Sequence, residues 1–427
     1  MSETNPSLLI AFLLQLGVIL AVGLFFGQLM RKINQPAVLG ELIGGIVLGP
    51  TVFGFLFPAV YQWLFLPSVE LTQSREAVIR LGMLFFMFVA GLEVNLSQLR
   101  QHQRSILLVS ILGCLLPFAL GLASVFLFPR VWLHSGAAAD ANFVLFIGIA
   151  LSISALPVIT RILMDLKLLH GQMGGLVITS AAINDLLGWA LFALLLSSLS
   201  ANGSGFQLPK ILGLTFLFSV LVLLIGRRLG ELLFKWARRS LVWPSGLLAI
   251  SAIFIFVSAA IAEMMNIHAI FGAFLIGVAL FPVFEHNGAG QVKEIIHQFA
   301  VSLFAPLYFV SVGLKANFAA NFDLQLVLLV LALAIVGKVA GAGLGAWFSG
   351  ANLKNALAIG FAMNARGAME MILASVALEY GLIDQRIFVA LVIMALVTSM
   401  MSGPMLQWLL KIPQLTAVKM EAKARGK

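Results

Sequence analysis

The sequence predicts an all-α polytopic membrane protein, and three observations carry that prediction. Of 427 residues, 61% are hydrophobic and 10% are charged, whereas soluble domains carry about a quarter charged residues. Apolar runs near the ~20 residues needed to cross a bilayer recur along almost the whole chain. They are unbroken Leu/Ile/Val/Phe/Ala stretches, not the short alternating strands of a β-barrel. Backbone groups in lipid must be satisfied within their own segment, so such runs form helices.

The runs divide into thirteen predicted spans, roughly 7–30, 36–56, 72–94, 103–128, 142–166, 170–199, 209–236, 245–265, 267–285, 294–314, 324–349, 353–380 and 384–411. The first follows Glu3, lacks a basic leader and is too long for a signal-peptide core, so it reads as a retained helix. Connections are short and leave no room for a separate aqueous domain. Basic residues set the orientation. With an odd number of spans and the C-terminus in the cytoplasm, 17 of the 26 Lys and Arg fall on the inside and 6 on the outside. Only Arg161, Lys338 and Arg366 remain within spans. This asymmetry predicts an outside N-terminus, and it fits a plasma membrane, expected here to be a bacterial inner membrane. The net charge of +9 then marks a cytoplasmic face near anionic lipid, and nucleic acid is not expected as a partner. Cys114 is the only cysteine, which excludes an internal disulfide and argues against a cysteine metal site. The histidines are scattered, which argues against a histidine one.

An internal repeat is visible. Residues 36–50 read PAVLGELIGGIVLGP and residues 268–282 read HAIFGAFLIGVALFP, with Ala, Gly, Gly, Leu and Pro in register at an offset of 232. GLEVNL at 91–96 answers GLKANF at 313–318 at an offset of 222. The second span thus matches the ninth and the third matches the tenth. Seven spans separate the members of each pair, so the two copies run in opposite directions across the membrane. This predicts an inverted repeat, residues 1–199 against 241–411, with 200–240 as a linker helix and 412–427 as a basic cytoplasmic tail. Repeats of this kind are a signature of secondary transporters.

Charged and polar residues inside spans are costly, so each needs a reason. Asn184 and Asp185 lie midway through the sixth span, and no basic residue stands one helical turn from Asp185. A carboxyl removed from water is reluctant to ionise alone, so a proton and a cation can compete for it; the plain alternative is a protonated structural carboxyl. The fifth span holds Ser152, Ser154 and Pro157, where the proline predicts a break that frees a carbonyl near Ser154 or Ala155, or else a simple kink. The twelfth span holds Asn364, Arg366, Gly367 and Glu370 and is the repeat counterpart of the fifth. Interruptions at corresponding positions of both halves point to a binding site. Arg366 and Glu370, four residues apart, share one helical face and could form a structural ion pair. Lys338 lies among small residues in the eleventh span and should face the bundle. Glu41 should point into a polar path or toward the other half. Glu263, His268 and Arg161 lie nearer span ends.

Taken in order, GELIGGIVLGP, FFMFVAGLEVN, Asn184-Asp185, HAIFGAFLIG and MNARGAMEM resemble the monovalent cation:proton antiporter-2 family, over essentially the whole chain. The resemblance implies a core domain of spans 4–6 and 11–13, with spans 5 and 12 unwound and crossing near the ion site. It also implies a homodimer through the remaining helices and an elevator-like movement. Asp185 matches the essential ion-binding carboxylate, which would make it the monovalent cation ligand, and Asn184 matches its partner position. Lys338 matches a basic residue that pairs with an aspartate at the position of Asn184 in electrogenic relatives. Many potassium relatives carry a nucleotide-binding regulatory domain; the short basic stretch after Lys411 is expected to mean either that this domain is lacking or that the chain is a piece of a longer protein.

The expected function is therefore secondary active exchange of Na⁺ or K⁺ for H⁺, with no enzyme chemistry and no cofactor. One carboxylate predicts one-for-one exchange unless Lys338 also cycles a proton. The competing readings are a gated cation channel, in which Asp185 would line a continuous pore, and an intramembrane hydrolase. The hydrolase has no second catalytic acid, Ser/His pair or HExxH motif to support it.

Overall fold

A computed structural model describes residues 6–33, 35–65, 69–93, 103–132, 140–168, 171–200, 208–265, 267, 269–286 and 289–411. The predicted basic tail, His268 and residues 94–96 of GLEVNL lie outside them. Every regular element among the described residues is helical. In chain order the main helices are α1 (Pro6–Lys32), α2 (Ala37–Leu48), α3 (Val69–Leu92), α4 (Gln103–Leu127), α5 (Ala141–Ser152), α6 (Leu156–Asp165) and α7 (Gln172–Ser200). There follow α8 (Leu208–Leu221), α9 (Arg227–Ser240), α10 (Ser245–Met264), α11 (Ala269–His286), α12 (Gly290–Phe299) and α13 (Ala305–Lys315). The last four are α14 (Leu324–Phe348), α15 (Leu353–Met363), α16 (Ala368–Glu379) and α17 (Gln385–Leu410). Single π-helical turns, Val222–Gly226 and Ala300–Phe304, join α8 to α9 and α12 to α13.

All thirteen predicted segments are helical over most of their length. Among the described residues, eight helices are long and apolar enough to cross a membrane, and Ala141–Ser152, Ala269–Glu285 and Leu353–Met363 are shorter apolar helices. Two of these short helices exist because the fifth and twelfth segments are each broken in two, α5 from α6 and α15 from α16.

The chain forms two compact units, each drawn from three stretches. One comprises Met1–Gly23, Val52–Leu96 and Trp189–Ser311; the other comprises Leu24–Thr51, Ser97–Gly188 and Val312–Lys427. Within the second unit, α4 and α14 pack backbone against backbone. A Cβ on Gly341 would lie 2.4 Å from the Leu112 carbonyl oxygen, one on Gly345 2.4 Å from that of Leu108, and one on Gly337 2.9 Å from Pro117 Cα. Glycines four residues apart make this approach possible where no hydrophobic effect draws helices together, and they carry Lys338 into the interior.

The two units share a second kind of crossing. In the first, a Cβ on Gly91 of α3 would lie 2.2 Å from the Phe274 carbonyl oxygen and 3.0 Å from Gly277 Cα of α11. In the second, a Cβ on Gly313 of α13 would lie 2.4 Å from the Leu42 carbonyl oxygen and 2.8 Å from Gly45 Cα of α2. Phe274 and Gly277 are Leu42 and Gly45 displaced by 232, and Gly313 is Gly91 displaced by 222. Side chains larger than hydrogen have no room at Gly91 and Gly313.

Candidate functional site

Everything in the site belongs to the second unit. It is built on the two helix breaks, which touch each other through backbone groups. The Ala155 amide donates to the Ala365 carbonyl (2.9 Å), and Ser154 Oγ donates to the Met363 carbonyl (2.9 Å). A Cβ on Gly367 would meet Val158 Cγ2 at 2.8 Å, so the crossing is close enough to require glycine there.

The break in the fifth segment falls at Ile153–Ala155, ahead of Pro157 and not at it. Pro157 is the second residue of α6, where its missing N–H would have no intrahelical partner in any case. The expected free carbonyl at Ala155 is not found, because it accepts the Ile159 amide (3.0 Å). The carbonyls freed are those at the end of α5, and two cations occupy them. Arg366 Nη1 and Nη2 donate to the Ala150 and Leu151 carbonyls (2.8 and 2.6 Å), and Lys338 Nζ donates to the Ser152 carbonyl. Placing cations at a helix C-terminus opposes the negative end of its dipole. The Ser152 hydroxyl turns back to the Ile149 carbonyl (2.8 Å).

Arg366 is itself fixed. Its amide donates to Ser399 Oγ (3.0 Å), and the Ser399 hydroxyl donates to its carbonyl. Its contact with Glu370 is longer, 3.5 Å from Nη1 to Oε1. Glu370 Oε2 and both side-chain polar atoms of Asn364 are buried without a hydrogen-bond partner among the described residues. Buried polar atoms in that state are rare.

Asn184 and Lys338 meet. With the Asn184 amide oriented to satisfy both of its ends, it donates to the Ser110 carbonyl (2.8 Å) and its oxygen accepts from Lys338 Nζ (2.9 Å). Asp185, the next residue on α7, is 1% exposed, and neither of its oxygens has a full hydrogen-bond partner among the described residues. The Leu156 amide, first in α6, and the Lys338 charge are near enough to act on it. One turn along the same face, a Cβ on Gly188 would lie 2.6 Å from Ile153 Cγ1, so α7 is pressed against the α5–α6 break. The carboxylate therefore faces the positive end of a half-helix, as an anion should.

The structure thus gathers Ser152, Asn184 and Lys338 into one bonded group with Asp185 beside it. It ties Ser154 and Arg366 to the crossing, and among the described residues Glu370 is connected through Arg366. Arg161 lies in α6. Glu41 sits on α2, outside this group. Ser110 and Ser399 are additional members that sequence reasoning did not single out; the run Thr398, Ser399, Ser402 in an otherwise apolar helix was the available signal.

Residues 10–412 match the family described as sodium/hydrogen exchanger, transmembrane. The chain belongs to the transmembrane sodium/hydrogen exchanger family. Among its relatives, cation/H⁺ antiporter 18 of Arabidopsis thaliana is 33% identical over 97% of this chain, and the matched region is 51% of that protein. The chain therefore spans about half the length of the Arabidopsis relatives it matches. The Na⁺/H⁺ antiporter NhaS4 of Synechocystis is 31% identical, over 94% of this chain and 97% of its own. The solved structure of the sodium proton antiporter MjNhaP1 from Methanocaldococcus jannaschii superposes with a TM-score of 0.67, covering 95% of this chain and 99% of that one, at 15% identity. That likeness is one of fold.

Proposed function

We propose that this exchanger is a secondary active antiporter that moves Na⁺ or K⁺ against H⁺, with proton and cation competing for Asp185. The observation that carries the reading is the Asp185 carboxylate. It is buried, it lacks a full hydrogen-bond partner, and the adjacent cation is already bonded to the Ser152 carbonyl and Asn184. A carboxylate left so must take a proton or a cation, and only one at a time. Family membership and the names of its relatives support the reaction class.

The competing channel reading needs Asp185 on a continuous pore, and its burial speaks against that. With the Lys338 charge accounted for, we read the exchange as one-for-one; an exchange equilibrium that shifts with imposed voltage would contradict this. The equivalent glycine crossings at offsets of 232 and 222 support an inverted repeat, 1–199 and 241–411 around the 200–240 linker. We further read alternating access as an elevator movement of the unit that holds the site, in a homodimer among anionic lipids of a plasma membrane, with the N-terminus outside. Crosslinking in the bilayer addresses the dimer, and cysteine labelling from each side addresses the orientation.

Asp185→Asn removes the titrating charge at almost constant volume. In proteoliposomes with a ΔpH-sensitive dye, titrated separately with Na⁺, K⁺ and Li⁺, this variant should show no cation-driven proton movement. Exchange near the wild-type rate would remove Asp185 from the mechanism.

A further inference from the structure

Glu41 is a buried acid that the exchange site does not use. It is 5% exposed, and its Oε2 has no hydrogen-bond partner among the described residues. It stands where α1 and α2 cross at backbone contact. A Cβ on Gly40 would lie 2.1 Å from the Phe26 carbonyl oxygen, and one on Gly27 would lie 3.7 Å from Glu41 Oε1.

The same crossing occurs between α10 and α11, and it provides an internal control. There a Cβ on Gly272 would lie 2.5 Å from the Ser258 carbonyl oxygen, and these residues are Gly40 and Phe26 displaced by 232. At that offset Gly27 corresponds to Ala259 and Glu41 to Ala273, both buried. The crossing therefore packs with two alanines and has no need of an acid. In the first crossing Glu41 stands where the second has an alanine, and a Cβ on Gly27 would make only ordinary contact with its Oε1. An unpartnered acid at that depth is unfavourable, so it calls for a reason other than packing.

On α1 the charged groups toward this end are Arg31 and Lys32, both in the last turn. On α13, which meets α2 through Gly313, the charged group is Lys315, held 2.7 Å from Glu379. We propose that Glu41, a buried carboxyl with an unpartnered oxygen on a crossing that packs elsewhere without an acid, is a proton-binding site of its own, separate from Asp185.

The test is infrared difference spectroscopy of the full chain in proteoliposomes, between acid and alkaline choline buffer. No transported cation is present, so the outcome does not depend on the exchange reading. Glu41→Gln should lose one titrating carboxyl band that Asp185→Asn retains. Glu41→Ala carries the residue of the second crossing and should melt like the wild type with the same band missing, which keeps the test intact if the glutamine variant folds poorly. A complete set of bands in either variant, with or without a change in melting, would overturn the proposal.

Discussion

Arg366 shows how spacing alone captures only part of a residue's bonding: the pair with Glu370 forms, but its closer partners lie elsewhere. Four residues separate it from Glu370, and on one helix that spacing suggests a pair. Its shorter contacts, at 2.6 and 2.8 Å, are with α5 carbonyls that exist as free acceptors only because α5 stops at Ser152; Glu370 stands at 3.5 Å. Spacing within a helix cannot reveal a partner supplied by another helix's end. Hydrogen bonds from charged groups are worth about 1.5–3 kcal/mol each. Arg366→Ala should therefore lower the melting temperature in detergent more than Glu370→Ala does, and the double variant should stay near the Arg366→Ala value. Recovery in the double variant would restore the ion pair as the dominant contact. Asp185, Asn184 and Lys338 were legible because polar groups in apolar runs are conspicuous. Ser110 and Ser399 were not, since a helical serine commonly bonds its own preceding turn, as Ser110 Oγ does with the Ile106 carbonyl (2.7 Å).

At the level of elements, the hydrophobic runs fall on helix, and eight of the described helices are long and apolar enough to cross a membrane. The unwinding of spans 5 and 12 that the family resemblance implies is seen as the two breaks. The exact break was displaced from Pro157 because proline is tolerated in a helix's first turn. Helix contacts were less legible, since a glycine in a run does not declare which backbone it meets. They now make a graded prediction. Gly91→Ala and Gly313→Ala place a Cβ 2.2 and 2.4 Å from a carbonyl oxygen, and each should destabilise by roughly 1–3 kcal/mol. Gly213→Ala in α8 meets nothing within 4 Å and should stabilise by about 0.5–1 kcal/mol. Equal effects in thermal melts would discard the contact argument. Asp323 makes a second case, capping α14 through the Leu326 amide (3.1 Å) and holding Arg386 (2.9 Å). Burial pushes its carboxyl up, but the Leu326 amide and the Arg386 guanidinium outweigh that and hold it below the ordinary value. Its contribution is thus complete above the ordinary carboxylate value and lost as pH falls through the depressed one. Asp323→Asn should flatten that acid limb of the melting curve, and an unchanged limb would show that the interaction adds nothing.

For the molecule as a whole, the central claim is that one buried carboxylate serves proton and cation in turn. Competition at a single site ties cation affinity to pH in one direction only, because protons remove the form that binds the cation. The decisive measurement is the apparent KM for the preferred cation in proteoliposomes across a series of pH values, equal on both faces. KM should rise as pH falls, approaching about tenfold per pH unit once the carboxyl is mostly protonated, while the maximal rate at saturating cation changes less. A KM that stays constant across the series would contradict the account and place proton and cation on separate sites.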